Sequence, residues 1–246
     1  MKECIIGIAG HKNSGKDTVA SMINYIFVTG ITRSNYADYV IRRKSIDISH
    51  KDRIIHFADS MKDAMSIIFS IPRSAFDDRV KKDNEYWDYF NRKFITFGEV
   101  IRNKNHYIAD NIIDNNLNNV IQYSATKKRN LYIKLRALMQ YFGTYICRNY
   151  IDNNIWINST MSKVIDIAIS RTLCIIPDVR FANEANAIRN NDKLLYGGLI
   201  KINRDNQDLD EHNSERINFD VDFEIDNNGN LMQLFYKVLE ICQKIK

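Results

Sequence analysis

The sequence predicts an α/β fold, a mostly parallel sheet covered by helices on both faces, and two observations predict it. Short apolar, β-branched runs alternate along the chain with helical patterns. The alternation calls for a mostly parallel sheet, whose strands are covered by helices on both faces. The first run passes straight into a glycine-bounded loop that opens an amphipathic helix.

Five runs read as strands: Cys4–Ala9, Arg53–Phe57, Thr172–Ile176, Leu199–Asn203 and Phe223–Asp226. The first helix is expected from about Gly15 to Phe27, with Val19, Met22, Ile23 and Ile26 as its inward stripe. A second helical pattern follows Asp59, aligns Met61, Met65, Ile68 and Phe69, and stops before Pro72. A third is expected from Asn130 to Tyr150, with Leu131, Leu135, Leu138, Met139, Phe142 and Ile146 as its apolar stripe. On another face of it, Arg136, Gln140, Thr144 and Arg148 recur every four residues. Leu231–Ile245 closes the chain as an amphipathic helix after an Asn-Gly-Asn turn. The Asn-, Asp-, Lys- and Tyr-rich stretch Arg79–Arg129 has weak periodicity and reads as a helical insertion over the ligand site.

Composition narrows the classes. At 246 residues the chain suits one α/β domain with an insertion. A net charge of +5 suits phosphorylated small molecules and is equally an ordinary surface. Neither a basic run nor basic residues interleaved with aromatics mark a nucleic-acid module. The cysteines Cys4, Cys147, Cys174 and Cys242 form no CxxC pair, so neither a zinc site nor a disulfide framework is indicated, and a reducing cytoplasm fits. No apolar run approaches the ~18 residues needed to span a bilayer, and the N-terminus shows no signal-peptide pattern.

The chemistry is densest in GHKNSGKDT, Gly10 to Thr18. Gly10, Gly15 and Lys16 have the spacing of a phosphate-binding loop, between a strand and a helix. Glycines let the backbone turn its N–H groups inward, the helix N-terminus adds partial positive charge, and the lysine reaches the β- and γ-phosphates. Lys12, Asn13 and Ser14 complete the cradle. Asp17 stands where the motif usually carries Ser or Thr as a magnesium ligand, and Thr18 follows. A second constellation, LCIIPDVRFANEA, ends a strand in Asp178 and continues through Arg180, Asn183 and Glu184 into a helix. An acid at the carboxyl end of a strand beside a phosphate loop is where a magnesium-associated aspartate belongs. Taken alone, the segment is equally a plain strand end and helix start.

GHKNSGKDT, FADSMKDA, LRALMQYFGTYICR, PDVRFANEA and EHNSE occur in an order that resembles viral and bacteriophage deoxynucleoside monophosphate kinases. The resemblance covers most of the chain except the region around Arg79–Arg129. It implies a three-layer P-loop NTPase fold, with a parallel five-stranded sheet in the order 2-3-1-4-5. It also implies ATP, magnesium, a nucleoside monophosphate acceptor and, in some members, a homodimer. The chain would then be a single kinase domain, with a helical acceptor-binding insertion at about 60–165 and a lid at about 203–219.

On that resemblance Lys16, Asp178, Arg136 and Arg180 are the catalytic candidates, and Asp17 and Asp178 the metal candidates. Gly10, Lys12, Asn13, Ser14, Gly15, Lys16, Asp17, Thr18 and Arg204 would bind ATP. Asp59, Lys62, Arg136, Gln140, Thr144, Arg148 and Glu184 would bind the acceptor. Asp59 also fits a plain N-cap, Gln140 a surface glutamine, and His212 of the lid stands on the family motif alone. Gly143 inside a helix points to a close approach by backbone or ligand, Trp156 reads as core, and topology points Asn227 or Asn228 toward the adenine. There are three rival readings: a kinase for another small phosphorylated metabolite such as phosphomevalonate; a nucleic-acid-binding ATPase, against which the missing basic run speaks; and a binding protein that has lost activity, which the departure at Asp17 leaves open.

Overall fold

The computed structural model describes residues 3–103, 105–109, 117–191, 196–205 and 217–245. The first part runs β1 (Cys4–Gly10), α1 (Lys16–Thr29), α2 (Tyr36–Ser49), α3 (Phe57–Phe69) and α4 (Arg79–Asp83). Next come β2 (Glu85–Asp88), β3 (Lys93–Thr96), α5 (Phe97–Arg102), β4 (His106–Ala109), α6 (Leu117–Thr126), β5 (Asn130–Lys134) and α7 (Leu135–Gln140). A π-helix, Tyr141–Ile151, follows, then α8 (Ile155–Arg171), β6 (Leu173–Ile176), α9 (Ala182–Arg189), β7 (Tyr196–Asn203), β8 (Phe223–Asp226) and α10 (Leu231–Lys244). The chain divides into two compact units, Met1–Ala58 with Ile157–Lys246, and Asp59–Trp156.

The first unit is built on a sheet in the order β6-β1-β7-β8, every neighbouring pair parallel. Side chains of β1 alternate between two cores. Cys4, Ile6 and Ile8 pack with Val19, Met22, Ile23 and Ile26 of α1 and with Phe235 and Val238 of α10. Ile5 and Ala9 pack with Met161 and Val164 of α8 and Ile188 of α9. Burial on both faces is why β1 and β6 are continuously apolar.

The sheet has four strands rather than the expected five. The segment Arg53–Phe57 is not a strand: it makes one parallel bridge, Ile54 to Ile175, with Ile55 N–H donating to Ile175 O at 3.0 Å. The pairing stops there because α3 begins at Phe57, so the backbone turns helical before a ladder can extend.

The Asp59–Trp156 unit corrects the expectation of a purely helical insertion. It holds a second sheet, β3-β2-β5-β4, antiparallel except for the β4–β5 pair. Tyr86 and Trp87 of β2 and Leu131, Tyr132 and Ile133 of β5 are buried. Asp88 closes the β2–β3 turn, accepting from Asn91 N–H at 3.1 Å. The long helix expected over Asn130–Tyr150 is therefore a strand, a short α-helix and a π-helix. In the π-helix the backbone bonds reach five residues, as Asp152 N–H does to Cys147 O at 2.9 Å. Gly143 there meets protein rather than ligand: an added Cβ would lie 2.2 Å from Met61 Sδ. The buried Trp156 donates its indole N–H to Gly143 O at 2.9 Å, a core role as expected.

Candidate active site

The loop between β1 and α1, Gly10 to Gly15, is shaped by its two ends. Gly15, at the N-cap of α1, has φ 101°, a left-handed conformation that disfavours side chains. A Cβ there would also sit 2.5 Å from Asn227 Nδ2. At the other end a Cβ on Gly10 would lie 2.6 Å from Ser14 Oγ. The loop closes through Ser14 N–H to His11 O at 3.2 Å. Lys16 turns back over it, its ammonium donating to Gly10 O and His11 O, each at 2.6 Å. These bonds hold a full positive charge against the loop at the amino end of α1, where anions are favoured.

The last two strands brace this loop. Asn227, directly after β8 and almost fully buried, donates through Nδ2 to Ser14 O at 2.8 Å. Its own N–H bonds Asn203 O at the end of β7. Arg204 reaches Asn13 O at 3.4 Å. Asn228 instead exchanges two hydrogen bonds with Asp205, each at 2.8 Å. Sequence reasoning placed Asn227 or Asn228 near the adenine; the structure sets Asn227 against Ser14, 213 positions away, so no local signal marks the brace. Ser14 is fully buried, and its Oγ and His11 Nδ1 have no hydrogen-bond partner among the described residues.

Asp178 follows β6, the parallel neighbour of β1, so it stands at the same edge of the sheet as the loop. The contact of Val179 N–H with Ile8 O, 3.2 Å, fixes that proximity. The Asp178 carboxylate accepts the N–H of Phe57 through Oδ1 at 3.0 Å and of Ala58 through Oδ2 at 3.1 Å, capping α3. Asp17 is 93% exposed on the first turn of α1, with His56 Nε2 4.0 Å away. Glu184 is buried, and its Oε2 accepts from the N–H of Arg180 at 2.8 Å and of Phe181 at 3.2 Å, which pins the turn that carries Arg180. His212 and Glu215 lie outside the described residues, as does most of the expected lid.

Among the described residues no cluster of three or more His, Cys, Asp or Glu side chains could by itself enclose a metal ion. Magnesium held with nucleotide phosphates needs only one or two carboxylates, the remaining ligands being phosphate oxygens and water. An oriented Asp178 and an exposed Asp17 fit that smaller demand.

The other acceptor candidates lie in the Asp59–Trp156 unit. Asp59 accepts from Arg73 at 2.9 Å and sits 3.5 Å from Lys62, which donates to Asp77 at 2.8 Å. Arg73 also contacts Asp63 and Asp77, each at 2.6 Å. Burial pushes the Asp77 carboxyl up, but the hydrogen bond from Lys62 and the charges of Lys62 and Arg73 outweigh it and hold the group below its usual range. Arg136 Nε donates to Asp83 Oδ1 at 2.6 Å. Gln140 ends α7, and Thr144 and Arg148 fall in the π-helix, so the four-residue recurrence does not run along one regular helix. Buried Arg148 reaches Asn153 O at 3.4 Å.

A family model described as deoxynucleotide monophosphate kinase matches residues 4–238 of the chain's 246. The chain belongs to the deoxynucleotide monophosphate kinase family. No match was found among curated proteins. The kinase is thus a phosphotransferase, with ATP as donor and a deoxynucleoside monophosphate as acceptor. The match favours neither the other-metabolite kinase nor the nucleic-acid ATPase. It spans both units, including the Arg79–Arg129 stretch. No helix among the described residues of the kinase is long and apolar enough to cross a membrane.

Proposed function

We propose that the first unit of this kinase grips the ATP phosphates, and that cations of the Asp59–Trp156 unit take the acceptor's phosphate. The observation that carries the reading is the Lys16 ammonium bonded to Gly10 O and His11 O, over a loop whose Gly15 needs a left-handed backbone. Phosphoryl transfer asks for positioning and for neutralisation of oxygen charge. A monophosphate with a second pKa near ~6 is already largely ionised at neutral pH, so the acceptor needs no strong general base.

In this reading Gly10, Lys12, Asn13, Ser14, Gly15 and Thr18 line the donor phosphates, and Lys16 supplies the cation that follows charge onto the β–γ bridge. Arg204 steadies the loop at Asn13 and lies on the ATP side. Arg180 contributes a planar fork that matches phosphate oxygens at two points. Glu184 acts through Arg180, by fixing its turn. Asp178, with Asp17, would hold magnesium. When bound, magnesium supplies charge neutralisation at the donor's β- and γ-oxygens. Lys62, Arg136, Gln140, Thr144 and Arg148 are assigned to the acceptor, with Asp59 orienting Lys62. Four buried free cysteines fit a reducing cytoplasm, and a homodimer follows the habit of some family members.

The test is ADP release with each deoxy- and ribonucleoside monophosphate and with phosphomevalonate, repeated after magnesium chelation. Release that requires a deoxynucleoside monophosphate and disappears on chelation supports the reading. Equal release with phosphomevalonate, or release indifferent to chelation, contradicts it.

A further inference from the structure

The segment Ile55–Ala58 reaches both Asp178 and Asp17, one through its backbone and the other through a side chain. Ile55 N–H donates to Ile175 O of β6 at 3.0 Å. Phe57 N–H and Ala58 N–H donate to the Asp178 carboxylate at 3.0 and 3.1 Å. His56, between them, is thus pinned on both sides at the carboxyl edge of the sheet. Its ring faces the first turn of α1, with Nε2 4.0 Å from Asp17 Oδ1. The two side chains differ in what fixes them. Asp17 is 93% exposed, so packing does not set the direction of its carboxylate. His56 is only 33% exposed and rides on backbone that β6 and Asp178 hold. All of these residues belong to one unit.

We propose that His56 is the positioning residue for Asp17: its Nε2–H donates to the Asp17 carboxylate and holds it toward magnesium and the donor phosphates. The proposal rests on the assignment of Asp17 to magnesium. Carboxylates that ligate a metal are themselves hydrogen-bonded, and the outer partner sets their direction. At 4.0 Å the pair is about 1 Å beyond hydrogen-bonding distance, and bonds of this kind are often long until the ligand arrives. A neutral ring protonated at Nε2 is enough, so the role needs no charge on His56. In the sequence His56 is a lone histidine ahead of FADSMKDA, and nothing local ties it to Asp17.

The test follows Mn(II), standing in for magnesium, by electron paramagnetic resonance as it binds the full chain with β,γ-methylene ATP. It compares His56→Ala, His56→Gln, Asp17→Asn and the double variant of His56→Ala with Asp17→Asn, with thermal melting of each. His56→Ala should weaken Mn(II) binding about three- to tenfold and change metal-free binding of the analogue, read by calorimetry, less than about twofold. His56→Gln, whose amide can donate in place of Nε2, should recover most of the loss. The double variant should bind Mn(II) no more weakly than Asp17→Asn alone, because the imidazole acts through that carboxylate. Weakened binding in Asp17→Asn beside unchanged binding in His56→Ala overturns the role of His56 and leaves that of Asp17 standing. Unchanged binding in both overturns the assignment of Asp17 as well. Additive losses in the double variant, no recovery in His56→Gln, or an equal loss without metal also overturn the proposal.

Discussion

Asp178 holds the start of the helix that begins at Phe57, its Oδ1 accepting the Phe57 N–H at 3.0 Å while Oδ2 accepts that of Ala58 at 3.1 Å. One side chain thus ends a strand and starts a helix 121 positions earlier, and it does so at the sheet edge that carries the phosphate loop. The charge proposed to attract magnesium is aimed by the backbone donors of α3.

Structural and catalytic contributions of Asp178 separate by substitution. Asp178→Ala strips two helix N–H groups of their acceptor and should lower stability by about 1–2 kcal/mol. Asp178→Asn keeps one acceptor oxygen and should cost less. Both should lower kcat at least about tenfold, because both remove the carboxylate charge. Denaturant melts with turnover measurements check this; Asp178→Asn turning over at the normal rate would remove the metal role.

The brace from Asn227 should act on the donor side alone. Asn227→Ala releases Ser14 O from its 2.8 Å partner and should raise the ATP KM about three- to tenfold, with the acceptor KM unchanged. Gly15→Ala should be worse. It forces a side chain into a left-handed backbone and onto Asn227, at a cost of about 1–2 kcal/mol in stability as well as ATP affinity. Equal changes in both Michaelis constants for Asn227→Ala would mean the brace is not specific to the loop.

The Lys62–Asp77–Arg73 network makes a pH-dependent contribution of known sign. The Asp77 carboxyl ionises lower in the folded chain than in the unfolded one. Its stabilisation is therefore complete above the ordinary carboxylate pKa of about 3.9 and is lost as the pH falls through the depressed folded value. Asp77 is 57% exposed, so solvent screening keeps the contribution below about 1 kcal/mol. Asp77→Asn should melt below the wild type at pH 7, and the gap should narrow as the pH falls below the ordinary carboxylate range. A constant gap would show that the loss is not electrostatic.

The strand–loop–helix from β1 into α1 was legible because its logic is local. A continuous apolar strand, glycines at both ends, a lysine and an amphipathic stripe all fall within Cys4–Thr29. Asp178 was legible as the acid at a strand tip. What the sequence hid was long-range or short-period. The Asn227–Ser14 and Asp178–Phe57 bonds join positions with no nearby signature. The second sheet is made of strands of four or five residues, too short for periodicity to separate from helix. Leu131 and Leu135 have helical spacing, yet one lies on β5 and the other on α7. A signal for the hairpin was present: the aromatic pair Tyr86–Trp87 and the aromatic and β-branched pair Phe94–Ile95 flank an Asp-to-Arg turn in which Asn91 and Arg92 fold back on Asp88. The π-helix follows from no spacing rule, since the four-residue recurrence of Arg136, Gln140, Thr144 and Arg148 describes an α-helix that the backbone abandons at Tyr141.

The most direct measurement is transfer of the labelled γ-phosphoryl group from ATP to a deoxynucleoside monophosphate by the full chain, beside Lys16→Ala. The wild type should form labelled deoxynucleoside diphosphate, and the variant should lose at least about a hundredfold in kcat with its fold retained. A folded Lys16→Ala protein that transfers label at close to the wild-type rate would contradict the phosphate-loop account.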